Sequence, residues 1–204
     1  LAVKNSTCLQ NNFTGRNLAN LTLGIIGTGA IGASVCKIAH AFDMNILAYD
    51  INPKEELKEK YIVKYVEMDE LLRNSDIVSL HLPYNKDTYH IMSRNEFKKM
   101  KNNSYFINVS RGELVNLDAL LKYVKNGKLQ GVGLDVVACV DSNCLEDVKK
   151  IERSTLQCLE ESNVVKELNS YSNVLITPHM SFETQESVDY ILEKTFDGLK
   201  DFVS

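Results

Sequence analysis

Proline and glycine are scarce, with three and ten residues in a chain of 204. A collagen-like or low-complexity polypeptide is thereby excluded. No apolar run approaches the roughly 18 residues of a membrane span, so no membrane partner is expected. Excess charge is missing as well: 23 Lys and Arg stand against 27 Asp and Glu, a net −4. That balance gives no general pull toward nucleic acid or anionic lipid. The tyrosines and phenylalanines have no basic residues interleaved with them, and no nucleic-acid partner is expected. Cysteine pairs are absent too. The five thiols (Cys8, Cys36, Cys139, Cys144 and Cys158) are odd in number and none forms a C-x-x-C. We read them as reduced thiols of a cytoplasmic protein, with neither a disulfide frame nor a metal site. The first residues, Leu1-Ala-Val-Lys-Asn-Ser6, contain no Met and no signal-peptide pattern. The expectation is a piece cut from a longer protein.

What remains is ordinary globular composition, 44% hydrophobic and 25% charged, which argues against disorder. Short apolar runs alternate with helical stretches. Strands are expected at Leu21–Ile26, Met44–Tyr49, Ile62–Val66, Ile77–Leu82, Ser104–Val109, Leu129–Leu134 and Val174–Ile176. Helices are expected near Ile31–Phe42, Pro53–Lys60, Met68–Arg73, Arg94–Met100, Leu117–Lys125 and Ser181–Phe202. Runs rich in Val, Ile and Leu suit strands covered on both faces. The alternation implies an α/β fold, a Rossmann-type doubly wound parallel sheet of about six or seven strands. One stretch breaks the rhythm. Residues Ala138–Asn169 hold three cysteines and many charges, with Leu145, Val148, Glu152, Thr155 and Leu159 at helical spacing. It reads as a helical insertion with a weak core face, a surface elaboration.

Gly27-Thr28-Gly29-Ala30-Ile31-Gly32 is a G-x-G-x-x-G between an expected strand and an expected helix. That context is the one a dinucleotide requires. Gly27 permits the tight turn, Gly29 lets backbone approach a pyrophosphate, and Gly32 lets helix and strand pack closely. The amides of Ala30 and Ile31 would point at the phosphates, helped by the helix dipole. Asp50 ends the second strand, 18 residues beyond Gly32, near the roughly 20-residue spacing of a ribose-binding acid. Its carboxylate accepts from ribose hydroxyls and repels a 2′-phosphate. No Arg follows it, so NAD is expected rather than NADP.

Further motifs follow in order: Leu80-His-Leu-Pro83 with Thr88, Phe106-Ile-Asn-Val-Ser-Arg-Gly112, Gly127-Lys-Leu-Gln-Gly131, Gly133-Leu-Asp-Val136 and Thr177-Pro-His179. Together they resemble the D-isomer-specific 2-hydroxyacid dehydrogenases over roughly Asn17 to Phe202, apart from the insertion. Phe182, three residues after His179, resembles the D-lactate and D-2-hydroxyisocaproate branch. The resemblance implies that Leu82 and Pro83 lie beside adenine and ribose, and that Thr88 contacts cofactor. It implies that Val109, Ser110 and Arg111 pass the nicotinamide side and that Asp135 holds the carboxamide. It makes Arg111 the catalytic arginine and His179 the acid/base. An Arg fork suits a carboxylate and its neighbouring carbonyl, and a His near neutral pH suits the proton that must follow hydride to oxygen. The other histidines carry less: His40 is expected solvated, His81 packed near the cofactor loop, and His90 at the surface.

The same resemblance implies a small 2-oxo acid or 2-hydroxy acid as substrate partner, a homodimer, and a second, substrate-binding domain. Residues 1–16 would be a remnant of the interdomain helix and linker, with the substrate domain absent from the 204 residues. These residues alone are expected to bind NAD and to reduce 2-oxo acids poorly. One departure concerns the acid that partners the catalytic His. It falls five residues after the Leu-Asp-Val aspartate in the family, which is Val140 here. Asp141, Glu146 or another acid of the insertion would have to replace it. Otherwise the dyad is broken, with slow turnover and a lowered acid limit. The alternative from another class is a non-catalytic, NAD-responsive binding module such as the C-terminal-binding proteins. Formate and phosphoglycerate dehydrogenases share the architecture, and Phe182 counts against the latter.

Overall fold

The computed structural model describes residues 15–137 and 155–203. Seven strands form one parallel sheet: β1 (Thr22–Ile26), β2 (Asn45–Tyr49), β3 (Lys64–Tyr65), β4 (Ile77–Leu80), β5 (Ser104–Asn108), β6 (Leu129–Leu134) and β7 (Val174–Ile176). Their order is β3-β2-β1-β4-β5-β6-β7. The helices are α1 (Ala30–Ala41), α2 (Glu55–Tyr61), α3 (Met68–Asn74), α4 (Arg94–Lys99), α5 (Leu117–Lys125), α6 (Thr155–Asn169) and α7 (Gln185–Val203). The chain runs outward from β1 through β2 to β3, then returns beside β1 and runs the other way from β4 to β7. The reversal between β1 and β4 opens a crevice at their C-terminal ends, where α/β sheets bind ligands.

Alternation along the strands splits the core in two. Leu23 and Ile25 of β1 pack with Ile46 of β2, Cys36 and Ala39 of α1, and Leu57 of α2. Ile26, Leu80 and Phe106 pack instead with Leu71 of α3, Phe97 of α4, Leu120 of α5 and Leu168 of α6. Phe97 meets Phe106 edge-on, with centroids 5.1 Å apart. Full burial of one such ring contributes roughly 2–3 kcal/mol. Close helix–strand contact needs a small residue at Gly24, where a Cβ would lie 2.3 Å from Ser75 Oγ and 2.6 Å from Leu71 Cδ2.

Helix ends follow local chemistry. Ser93 and Glu96 close a capping box on α4, and the Asn116 side chain accepts from the Ala119 amide at the start of α5. The third expected strand contracts to Lys64–Tyr65 because Ile62, with φ +54°, is spent on the left-handed cap of α2. The helix expected from Ser181 starts at Gln185. Residues 181–184 form a turn instead, and the Thr184 hydroxyl accepts from the Ser187 amide at 3.2 Å. The larger correction concerns Ala138–Asn169. Its part from Thr155 onward is α6, and that helix buries Val165 and Leu168 in the main core. It covers the sheet rather than decorating the surface. Leu145, Val148, Glu152, Val140, Asp141 and Cys139 lie outside the described residues.

Candidate functional site

The glycine-rich loop leaves β1 at the reversal point. Gly27 has φ +94°, and a Cβ there would stand 2.6 Å from the His81 carbonyl oxygen. Glycine satisfies both constraints. Its amide donates to the Tyr49 carbonyl at 2.9 Å, tying the loop to the end of β2. Gly32 is buried, and a Cβ on it would meet the Gly27 carbonyl oxygen at 2.0 Å. Gly29 is different: a Cβ there meets nothing within 4 Å. Open space therefore stands directly over the first turn of α1, whose N-terminus has no side-chain cap. The amides of that turn lack intrahelical partners by geometry, and Ala30 and Ile31 are exposed. This is a cradle for an anion that brings its own oxygens close to backbone.

Asp50 follows β2 and faces the loop. Its Oδ2 accepts from the Thr28 amide at 2.5 Å and the Thr28 hydroxyl at 2.9 Å, and its Oδ1 accepts from the Asn52 amide at 2.8 Å. Burial opposes ionisation. The amides of Asn52 and Thr28, the Thr28 hydroxyl and the Lys54 charge outweigh it and hold the carboxyl below its ordinary range. Thr28 is fully buried, so the acid is braced from the protein side. Sequence reading missed a third member, Tyr65 of β3, whose hydroxyl donates to Thr28 Oγ1 at 2.9 Å.

On the other side of the reversal lies a cleft of about 500 Å³. Ile31, Leu82, Pro83, Val109, Ser110 and Arg111 line it, with His81 and Tyr84. It thus gathers six of the residues singled out in the sequence. Buried Asn108 at the end of β5 shapes its far wall, accepting from the Ser110 amide at 3.0 Å and donating to the Arg111 carbonyl at 2.8 Å. Ser110 Oγ donates to the Leu80 carbonyl at 2.7 Å, joining β5 to β4. Nothing local in the sequence marks Asn108 for this role. Arg111 is exposed, and its guanidinium rests on the Ser110 carbonyl at 2.6 Å. Thr88 does not line the cleft. Its hydroxyl donates to the Pro83 carbonyl and accepts from the Asn85 amide, both at 2.8 Å, locking the loop that carries Leu82 and Pro83.

His81 follows β4 and stands against the glycine loop. Nε2 lies 3.0 Å from Ser79 Oγ, and Nδ1 is buried without a partner among the described residues. Burial pushes its pKa down to about 4, so the ring is neutral at pH 7. The other histidines are as ordinary as expected or more buried: His40 meets the Tyr61 ring edge-on, whereas His90, expected at the surface, is half-buried and stacked on Tyr89 at 3.9 Å.

His179 follows β7 and is exposed, at φ +52°. Its amide donates to the Asp135 carbonyl at 2.9 Å, and its ring meets Phe182 edge-on at 5.3 Å. The structure does not place it in the lining of the Arg111 cleft. Asp135 is buried and its carboxylate serves this turn. Oδ1 accepts from Thr177 Oγ1 at 2.6 Å and the Met180 amide at 2.9 Å, and Oδ2 from the Ser181 amide at 2.9 Å. Burial would raise its pKa, but hydrogen bonds from Ser181, Thr177 and the Met180 amide hold it near 2. The anionic carboxylate is the clamp that shapes the His179 turn.

Comparison with known proteins bears on what this arrangement is. The family model of the D-isomer specific 2-hydroxyacid dehydrogenase, NAD binding domain, matches residues 2–181. The chain belongs to that family. A D-specific alpha-keto acid dehydrogenase of Enterococcus faecium is 37% identical over 188 residues, which is 92% of this chain and 54% of that protein. An aromatic 2-oxoacid reductase of Clostridium sporogenes is 35% identical over 202 residues, 94% of this chain and 57% of that one. The crystal structure of D-lactate dehydrogenase from Aquifex aeolicus, complexed with NAD and lactic acid, superposes with a TM-score of 0.90 at 38% identity. That superposition covers 99% of this chain and 59% of the other. The chain therefore spans a little over half the length of the relatives it matches. The glycine loop, Asp50 and the cleft fit an NAD-binding domain: an uncapped helix start under open space, an ionised acid at the second strand end, and, on the other side of the reversal, a recess of mixed polar and apolar lining. Among the described residues no helix is long and apolar enough to cross a membrane.

Proposed function

We propose that the whole protein reduces a small 2-oxo acid to a D-2-hydroxy acid with NADH, and that these residues hold the dinucleotide. The observation that carries the reading is the uncapped start of α1 beneath the open space at Gly29, set beside the braced and ionised Asp50. In this reading the Ala30 and Ile31 amides receive the pyrophosphate and Asp50 accepts from the ribose hydroxyls. Leu82 and Pro83 flank adenine and ribose, and Val109 and Ser110 flank the nicotinamide. Bound there, NADH supplies the hydride. Arg111 leaves its resting contact on the Ser110 carbonyl to pair with the substrate carboxylate and polarise the adjacent carbonyl. His179 delivers the proton to that carbonyl's oxygen. Asp135 positions the turn that carries His179. Thr88 acts by holding the 83–88 loop through its hydroxyl, rather than by touching the cofactor.

A homodimer and a cytoplasmic setting belong to the same reading, carried by the resemblance and by the cysteine pattern. Burial pushes the Cys36 thiol up to about 11, so it is protonated and inert at neutral pH. A second reading, the NAD-responsive binding module, is favoured by Val140 at the place counted for the dyad acid. Arg111→Gln and His179→Gln in the full-length protein distinguish the two. Dehydrogenase action predicts unchanged NADH affinity in both and turnover with pyruvate lowered at least a hundredfold. Full-length protein that binds NADH and turns over no 2-oxo acid would favour the second reading.

A further inference from the structure

The bracing of Asp50 extends further than the acid needs for ionisation alone. The Lys54 amide donates to the Tyr65 hydroxyl oxygen at 3.1 Å. That occupies the tyrosine's acceptor side, and the phenolic hydrogen goes to Thr28 Oγ1 at 2.9 Å. Thr28 Oγ1, accepting there, sends its own hydrogen to Asp50 Oδ2 at 2.9 Å. The three groups form a hydrogen-bond chain with one direction, running from β3 at the edge of the sheet to the acid beyond β2. Its middle member is fully buried, so water does not replace a missing link. Cations stand beside the chain: Lys58 Nζ lies 5.6 Å from the centre of the Tyr65 ring, and Lys54 follows Asp50 by four residues.

These positions make opposite demands on two nucleotides. A ribose diol needs the carboxylate at a fixed place. A 2′-phosphate is repelled by the carboxylate only while it stays there, and the neighbouring lysines favour phosphate once it moves. We propose that Tyr65, acting through Thr28, is the positioning residue that makes this chain select NADH over NADPH. The proposal rests on the dinucleotide reading above and adds to it a residue outside the glycine loop and the strand-end acid. Tyr65 touches no cofactor in this account. It acts by fixing the hydroxyl that fixes the acid.

The test is equilibrium titration of this chain with NADH and with NADPH by fluorescence, for the wild type, Tyr65→Phe, Thr28→Val and the double variant, each with a thermal melt. Loss of one link of the chain is expected to lower the NADH-to-NADPH affinity ratio about fivefold. Both single variants should do so, and the double variant should fall no further than either, since the links act in series. Thr28→Val keeps the buried shape, so it carries the test if Tyr65→Phe folds poorly. Equal losses for both nucleotides, leaving the ratio unchanged, would show a merely structural role and overturn the proposal. Additive effects in the double variant would overturn the series arrangement. A wild-type chain that is folded yet binds neither nucleotide overturns the dinucleotide reading and this proposal together. A wild type that binds NADH, with unchanged ratios in both variants, overturns the proposal alone.

Discussion

Two alanine substitutions, each adding a single methyl group, separate what the glycine loop does for the fold from what it does for the ligand. At Gly32 a Cβ would stand 2.0 Å from the Gly27 carbonyl oxygen and 3.0 Å from its carbon. Both are backbone atoms, so no flexible side chain gives way. Overpacking of this kind costs about 1–3 kcal/mol or more, against a helix-propensity gain of about 1 kcal/mol for replacing Gly by Ala. The clash wins, by about 2 kcal/mol taken from the upper part of that range. For a domain of this size that lowers Tm by about 4–8 °C. At Gly29 the same methyl meets nothing within 4 Å, and φ is −56°. Gly29 is the N-cap of α1, at ψ −156°, so Gly29→Ala should cost no more than about 1 kcal/mol, a Tm loss of no more than about 2–4 °C. Its methyl instead occupies the space over the α1 amides that a pyrophosphate must enter. Losing one or two charge-assisted hydrogen bonds there weakens NADH binding by about 10- to 100-fold. Melting by circular dichroism, with NADH titration on the same samples, reads both. If Gly29→Ala binds NADH like the wild type, the anion cradle is misplaced. If Gly32→Ala melts unchanged, the packing account of the loop is wrong.

Acid unfolding should have two steps. His81 has its folded pKa lowered to about 4 from 6.5. The unfolded chain therefore binds the proton first, and stability falls by about 3 kcal/mol as pH drops from 6.5 to 4. Asp135, lowered to about 2 from 3.8, contributes about 2 kcal/mol that is complete above pH 5 and lost as pH falls through 3.8 toward 2. Denaturant midpoints against pH should lose the first step in His81→Gln and the second in Asp135→Asn; persistence of a step in its own variant assigns it elsewhere. Leu168→Ala should cost about 2–5 kcal/mol in urea denaturation, as for a fully buried leucine, whereas a surface insertion would lose less than 0.5 kcal/mol.

Legibility in the sequence followed the range of the interactions. The Gly27–Gly32 loop and Asp50 were readable because the turn, the helix start and the acid recur at fixed spacing along one β-α-β unit. All seven expected strands are present because parallel buried strands are continuous apolar runs, although five are shorter than expected and β3 contracts to Lys64–Tyr65. Tyr65 and Asn108 were not readable. Their roles come from β3 meeting the loop after β1, and from the wall that joins β5 to β4, contacts that no local spacing encodes. Asp135 is singled out by the resemblance as the acid that holds the carboxamide, and its grip on Thr177, Met180 and Ser181 emerges only when β6 and β7 are paired. Helix α6 reads as a surface element because its apolar residues form no single stripe along the helix, and only packing against α5 shows that Val165 and Leu168 are buried. His179 and Arg111 are singled out by motif, yet His179 stands outside the cleft that Arg111 lines.

The most direct test of the account is an NADH titration of the 204-residue chain with NADPH measured in parallel. The account predicts saturable NADH binding, with NADPH at least about tenfold weaker, equivalent to 1.4 kcal/mol or more. A folded chain that leaves NADH unbound, or that binds NADPH equally well, would contradict it.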